Sequence, residues 1–137
     1  MATVHKTSTQ HMGKMQFDSV INGHHITIDT VEAGGGDNLG PNPKPLLLSA
    51  LAGCTGMDVV STLNKMRAEY SDFSIDIEAD LTDEHPRVYS EIRMTYKIKT
   101  ENHDKMERAV KLSKEQYCGV SAMLKMVCPV KFEIQYL

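Results

Sequence analysis

The stretch LLLSALAGCTGMDVV, Leu46 to Val60, decides how the rest of the chain is read. Its first half is apolar on nearly every side, and it sets Cys54 between Gly53 and the Thr55-Gly56 pair. Upstream, Asn42 is a suitable helix cap, and Pro43 and Pro45 are acceptable only in a first turn, so a helix of about 25 residues is expected here. Leu47, Leu51, Cys54, Asp58 and Ser61 share one face at i, i+3/i+4 spacing, while Leu46, Leu48, Ala50, Ala52 and Met57 cover the other sides. A helix that is apolar all round is buried all round. One domain of 137 residues has trouble surrounding such a helix, which points to a subunit interface. The following STLNKMRAEY turns polar and returns to the surface. Glycine inside a helix costs about 1 kcal/mol relative to alanine. Gly53 and Gly56 therefore suggest that another backbone or a substrate approaches the sulfur.

Outward from this helix the chain reads as β on both sides. Asn22-Gly23, between MQFDSVI and HHITIDT, is a strong hairpin signal. The segment EAGGGDNLGPNP is read as a flexible loop, because no G-K-[ST] follows to make it a phosphate cradle. Downstream, Phe73, Ile75, Ile77, Ala79 and Leu81 alternate with polar residues. Val88, Ile92, Met94, Tyr96 and Ile98 do the same across the TDEHPR hairpin loop. HDKMERAVKLSKEQY is helical, CGVSAMLKM is a second short helix ended by Pro129, and VKFEIQYL closes the chain as a strand. The order β-β-β, long helix, β-β, two helices, β defines an α+β domain over residues 1–137.

Composition narrows the function. A net charge of −3 leaves no basic surface for nucleic acid or anionic lipid. The polar N-terminus has no signal-peptide core, and the uncharged stretch Pro45–Met57 is too short to span a bilayer. Three cysteines without a C-x-x-C pair read as reduced cytoplasmic thiols. The six histidines are scattered and form no ligand spacing with the cysteines, so neither metal nor cofactor is expected.

Cys54 and Cys118 are the candidates for chemistry, each with a plain core role as its rival. Cys118 precedes Gly119 near the start of the short helix, where backbone dipoles favour a thiolate. Cys128, beside Pro129, is read as core. Asp58, one turn after Cys54, would raise the thiol's pKa if left unpaired, so a salt-bridged or capping carboxylate is expected there.

GPNPKPLLLSALAGCTGMDVV and AVKLSKEQYCGVSAMLKM, in this order and with β-hairpins before and between, resemble the two cysteine segments of the OsmC/Ohr family of thiol-dependent peroxidases. The wording is closest to its less characterised OsmC-like branch. The resemblance covers nearly the whole chain. It implies antiparallel sheets around a long central helix carrying the first cysteine, in an intertwined homodimer with its sites at the subunit interface. It also implies that Cys54 reduces an organic hydroperoxide and becomes a sulfenic acid. Cys118 would condense with it to a disulfide, and an external dithiol would reset the pair in defence against oxidative stress.

The chain departs from the family in one respect. The best characterised members use an N-terminal arginine, held by a glutamate ten positions before the first cysteine, to hold the thiolate. Lys44 occupies the glutamate position here, and no arginine precedes Arg67. A helical rise of 1.5 Å per residue sets Lys44 roughly 15 Å from Cys54 along the axis. Three readings follow. One is a hydroperoxide reductase, one a dimer that binds a small apolar ligand with little redox activity, and one a thiol-redox sensor.

Overall fold

A computed structural model describes residues 3–137. The elements are β1 (Thr7–Gly13), β2 (Gln16–Ile21), β3 (His24–Ile28), α1 (Pro43–Lys65), β4 (Ser71–Leu81), β5 (Tyr89–Lys99), α2 (His103–Leu112), α3 (Gly119–Lys125) and β6 (Val130–Tyr136). A wide π turn, Ser113–Tyr117, joins α2 to α3. Two compact units result, one up to Leu47 and one from Leu48 onward. The α+β class and the element order are as the sequence implies.

In the first unit β1, β2 and β3 form an antiparallel meander. Asn22 and Gly23 both take positive φ, 51° and 81°, as a tight hairpin turn between right-twisted strands requires. The glycine-rich segment after β3 is not the flexible connection that its composition suggests. Asp29 accepts backbone N–H bonds from Thr30 (2.8 Å), Asp37 (3.2 Å) and Leu39 (3.1 Å), and its own N–H donates to the Pro41 carbonyl at 3.1 Å. A Cβ at Gly36 would strike the Thr30 carbonyl, and one at Gly40 the Thr27 carbonyl. The glycines thus serve close backbone packing.

The second unit holds the core. β5 runs between β4 and β6 and contributes Ile92, Met94, Tyr96 and Ile98, all fully buried. α1 adds Leu51, Thr55, Val59 and Leu63, an i, i+4 stripe. α2 adds Met106, Ala109 and Val110. The stripe lies one position past the expected Leu47–Ser61 face, so Cys54 and Asp58 sit at its edge instead of its centre.

Three expectations need correction. β6 joins β5 in parallel, so the second sheet is mixed and not antiparallel. The connection through α2 and α3 is long enough to return the chain to the starting end, which a parallel pairing needs. On β5 an irregularity at Ser90 reverses the phase of alternation. Tyr89 is buried, and Val88 and Leu81 are exposed. Finally, α1 is long and apolar enough to cross a membrane. It is not buried on every side as its composition suggests: one stripe packs in the core of the second unit, while Leu47 and Met57 are exposed.

Candidate active site

Local structure brings the cysteines together from opposite ends of the second unit. Cys54 is on α1, half-buried and packed against the core. Cys118 is delivered by the π turn, whose geometry lets the Cys118 N–H reach the Ser113 carbonyl at 2.8 Å. Such turns re-aim side chains within a helical run. Cys118 then caps α3, its sulfur accepting the Ser121 N–H at 3.3 Å. The two sulfurs and a carboxylate oxygen of Asp58 all lie within 4.8 Å of one another.

The thiols differ in access. Cys118 is 3% exposed, while Cys54 is half-buried and keeps part of its surface open. A Cβ built on Gly53 would meet nothing within 4 Å, so the backbone beside Cys54 is uncrowded. One built on Gly56 would lie 3.3 Å from Ile75 Cδ1, so that glycine serves packing of α1 against β4. Burial pushes the Cys118 thiol up to about 11, against the Ser121 N–H, which lowers it. The hydrogen bond that the Cys118 thiol donates to Cys54 and the charges of Cys54 and Asp58 raise it further. The expectation that the helix start would favour a thiolate at Cys118 is therefore overturned, because desolvation outweighs the single N–H.

Among the described residues Asp58 is neither salt-bridged nor a cap. It accepts a 2.9 Å hydrogen bond from Ser113 Oγ. Ser113 Oγ in turn lies 2.8 Å from Thr55 Oγ1, and Thr55 Oγ1 lies 2.7 Å from Tyr96 Oη. Each hydroxyl carries one proton, and an ionised carboxylate only accepts. With the Ser113 proton committed to Asp58, Thr55 must donate to Ser113 and Tyr96 to Thr55. The three hydroxyls therefore line up toward the carboxylate. Ser113, Thr55 and Tyr96 are 0–1% exposed, so the chain is dry, and such a network holds its members in one geometry. Burial also holds the Tyr96 phenol in its protonated form by raising its pKa.

Sequence reasoning missed Thr55, Tyr96 and Ser113. The available signal was a hydroxyl at each of three positions whose neighbours are core, since buried polar groups need partners. Cys128 lies elsewhere, buried, with its thiol raised by burial and by Glu91. Two surface cavities, of about 520 and 480 Å³, include neither Cys54 nor Cys118. The first is lined by charges that already pair, such as Lys97 with Asp76 at 2.7 Å. The atoms best placed to hold a cation are the same two sulfurs and carboxylate, and a closed tetrahedral zinc site wants a fourth protein donor. We assign none of them as a metal ligand.

An α+β fold that juxtaposes one reachable and one buried thiol defines a paired-thiol protein. The family model for OsmC-like proteins matches residues 34–133, and the chain belongs to that family. Protein YhfA of Escherichia coli is 32% identical over 105 residues, 75% of each chain. A hypothetical protein from Aquifex aeolicus superposes with a TM-score of 0.83 at 31% identity over 99% of each chain. An organic hydroperoxide resistance protein OsmC from Legionella pneumophila shares the fold, with a TM-score of 0.73 at 17% identity over 98% of each chain.

Proposed function

We propose that this chain is a thiol-dependent peroxidase that reduces organic hydroperoxides through Cys54 and Cys118. The observation that carries the reading is the pairing of the two sulfurs within 4.8 Å, one accessible and one buried. Accessibility assigns the roles. Cys54 attacks the terminal peroxide oxygen, the O–O bond breaks, an alcohol leaves and Cys54 becomes a sulfenic acid. Cys118 then forms the disulfide and water departs. A disulfide needs sulfurs about 2 Å apart, so the pair must close from its present spacing. An external dithiol returns both thiols, which fits a reducing, cytoplasmic setting. The Legionella relative of the same fold supports the substrate class, as a protein of organic hydroperoxide resistance.

The chain acts as one domain in this reading, since the family match crosses the boundary between its units at Leu47 and Leu48. It acts as a homodimer. Met57, Met123 and Met126 are 76%, 63% and 87% exposed in a single copy, and a second copy would cover such apolar surface.

Stopped-flow reaction with cumene hydroperoxide tests the chemistry. Turnover should vanish in Cys54→Ser, and Cys118→Ser should accumulate a sulfenic acid that a dimedone-type reagent traps. Wild-type rates no faster than a bulk thiol would sink the proposal. They would favour the second reading, a weakly redox-active dimer binding a small apolar ligand. That reading draws support from Lys44 at the family's glutamate position and from the elevated Cys118 thiol.

A further inference from the structure

We propose that Asp58 is the proton carrier of this site, taking the proton from each thiol as it attacks and passing it to the oxygen that leaves. The proposal rests on the peroxidase reading above. Among the described residues Asp58 is the carboxylate that lies within 4.8 Å of both sulfurs. That is the distance of one side-chain adjustment, and catalytic hydrogen bonds are often long before substrate binds. Its other contact is the hydroxyl chain Tyr96–Thr55–Ser113, which reaches it from β5, α1 and the π turn and fixes its orientation. The titratable groups around it are Cys54, Cys118 and Tyr96. No lysine or arginine makes a salt bridge to it among the described residues.

In the first step the Cys54 Sγ–H proton moves to the Asp58 carboxylate as Sγ attacks the distal oxygen. The sulfur lone pair forms the S–O bond, the O–O bond breaks, and the leaving alkoxide takes the proton from Asp58 to become an alcohol. In the second step Cys118 Sγ–H gives its proton to Asp58. The S–S bond forms, the S–O bond of the sulfenic acid breaks, and the departing hydroxide takes the proton and leaves as water. Sulfur is oxidised and peroxide oxygen reduced by two electrons overall. The second step has particular need of a base, because a thiol with a pKa pushed up to about 11 holds almost no thiolate at neutral pH.

The opposite role makes an opposite prediction. If Asp58 acted only as a negative neighbour, removing its charge would lower the thiol pKa values and speed attack. As a proton carrier, its removal slows attack. General acid–base groups contribute about 10²- to 10⁴-fold, so sulfenic acid formation in Asp58→Asn should fall at least ~100-fold with cumene hydroperoxide. With a peracid, whose leaving carboxylate needs no proton, only the deprotonation of the thiol is lost, so the fall should be about tenfold or more smaller than with cumene hydroperoxide. A merely structural defect would slow both substrates alike. Ser113→Ala keeps the carboxylate and loses its orientation, so it should show the same substrate bias with a smaller loss. An Asp58→Asn rate with cumene hydroperoxide equal to or above wild type, or an equal loss with both oxidants, overturns the assignment and leaves the peroxidase reading standing. A wild-type protein inert to both oxidants overturns both.

Discussion

The two sheets are built from similar numbers of strands yet are held by different means. In the second, one face of β5 is buried along its length and receives the stripe of α1 and the apolar face of α2. In the first, no apolar side chain among the described residues up to Leu47 is buried. β1 is exposed throughout, and Phe17, Met12 and Met15 are 38%, 54% and 50% exposed. The buried side chains there are polar, Ser19 and Asp29. A three-stranded meander without a packed apolar face is marginal in water. The second unit therefore carries the hydrophobic stabilisation of the single chain, and the first depends on hydrogen bonds and on whatever covers it.

The largest expected effect tests the core side of this contrast. Ile92 is fully buried at the centre of the mixed sheet, so Ile92→Ala should cost about 2–5 kcal/mol in urea or thermal unfolding. A cost under 1 kcal/mol would mean that the sheet collapses around the loss and that the core is not centred on β5.

A smaller effect tests the other side. If a second copy of the chain covers the first sheet, amide protection in β1, β2 and β3 should depend on protein concentration, and protection in β5 much less. Mass action in a homodimer makes exchange in the meander rise about threefold for each tenfold dilution. Hydrogen exchange followed by mass spectrometry over a dilution series reads this directly. Equal protection at every concentration would mean that the meander is stable by itself, and the contrast between the sheets would lose its meaning.

The same contrast explains how much of the fold is legible in the sequence. Where one local rule governs, the sequence was sufficient. Asn22-Gly23 specifies a turn that needs two positive φ angles, and the alternation in β4 and most of β5 reports a wet and a packed face. Pro43 opens α1 as a proline should. Where tertiary contacts decide, local rules misled. One inserted residue at Ser90 exchanges the faces of Val88 and Tyr89, and nothing in VYSEI announces it. The parallel direction of β6 depends on the path of two intervening helices. EAGGGDNLGPNP has the composition of a mobile loop, yet the Asp29 carboxylate, supplied from just outside it, organises it.

The site divides along the same line. Cys54 and Cys118 could be singled out from the residues around them. From the sequence the Asp58 charge is a liability to the thiol, because the partner that holds it lies on another element. Thr55 and Tyr96 were hidden among core positions.

The smallest expected effect is confined to the loop of the first unit. Backbone N–H bonds from Leu39, Thr30 and Asp37 hold the Asp29 carboxyl below its ordinary 3.8. A carboxyl whose pKa is depressed by folding adds stability above its unfolded pKa, and that contribution is lost as pH falls through the folded value. Asp29→Asn keeps one acceptor oxygen of two and removes the charge. At neutral pH it should loosen residues 30–41, seen as faster amide exchange at Asp37 and Leu39, with β5 unchanged. As pH falls through the folded value, which lies below 3.8, wild type and variant should converge, because protonation makes Asp29 resemble the amide. A difference that persists undiminished to pH 2 would show that shape and not charge holds the loop. In that case the close approaches at Gly36 and Gly40, and not the carboxylate, would be what orders the first unit after β3.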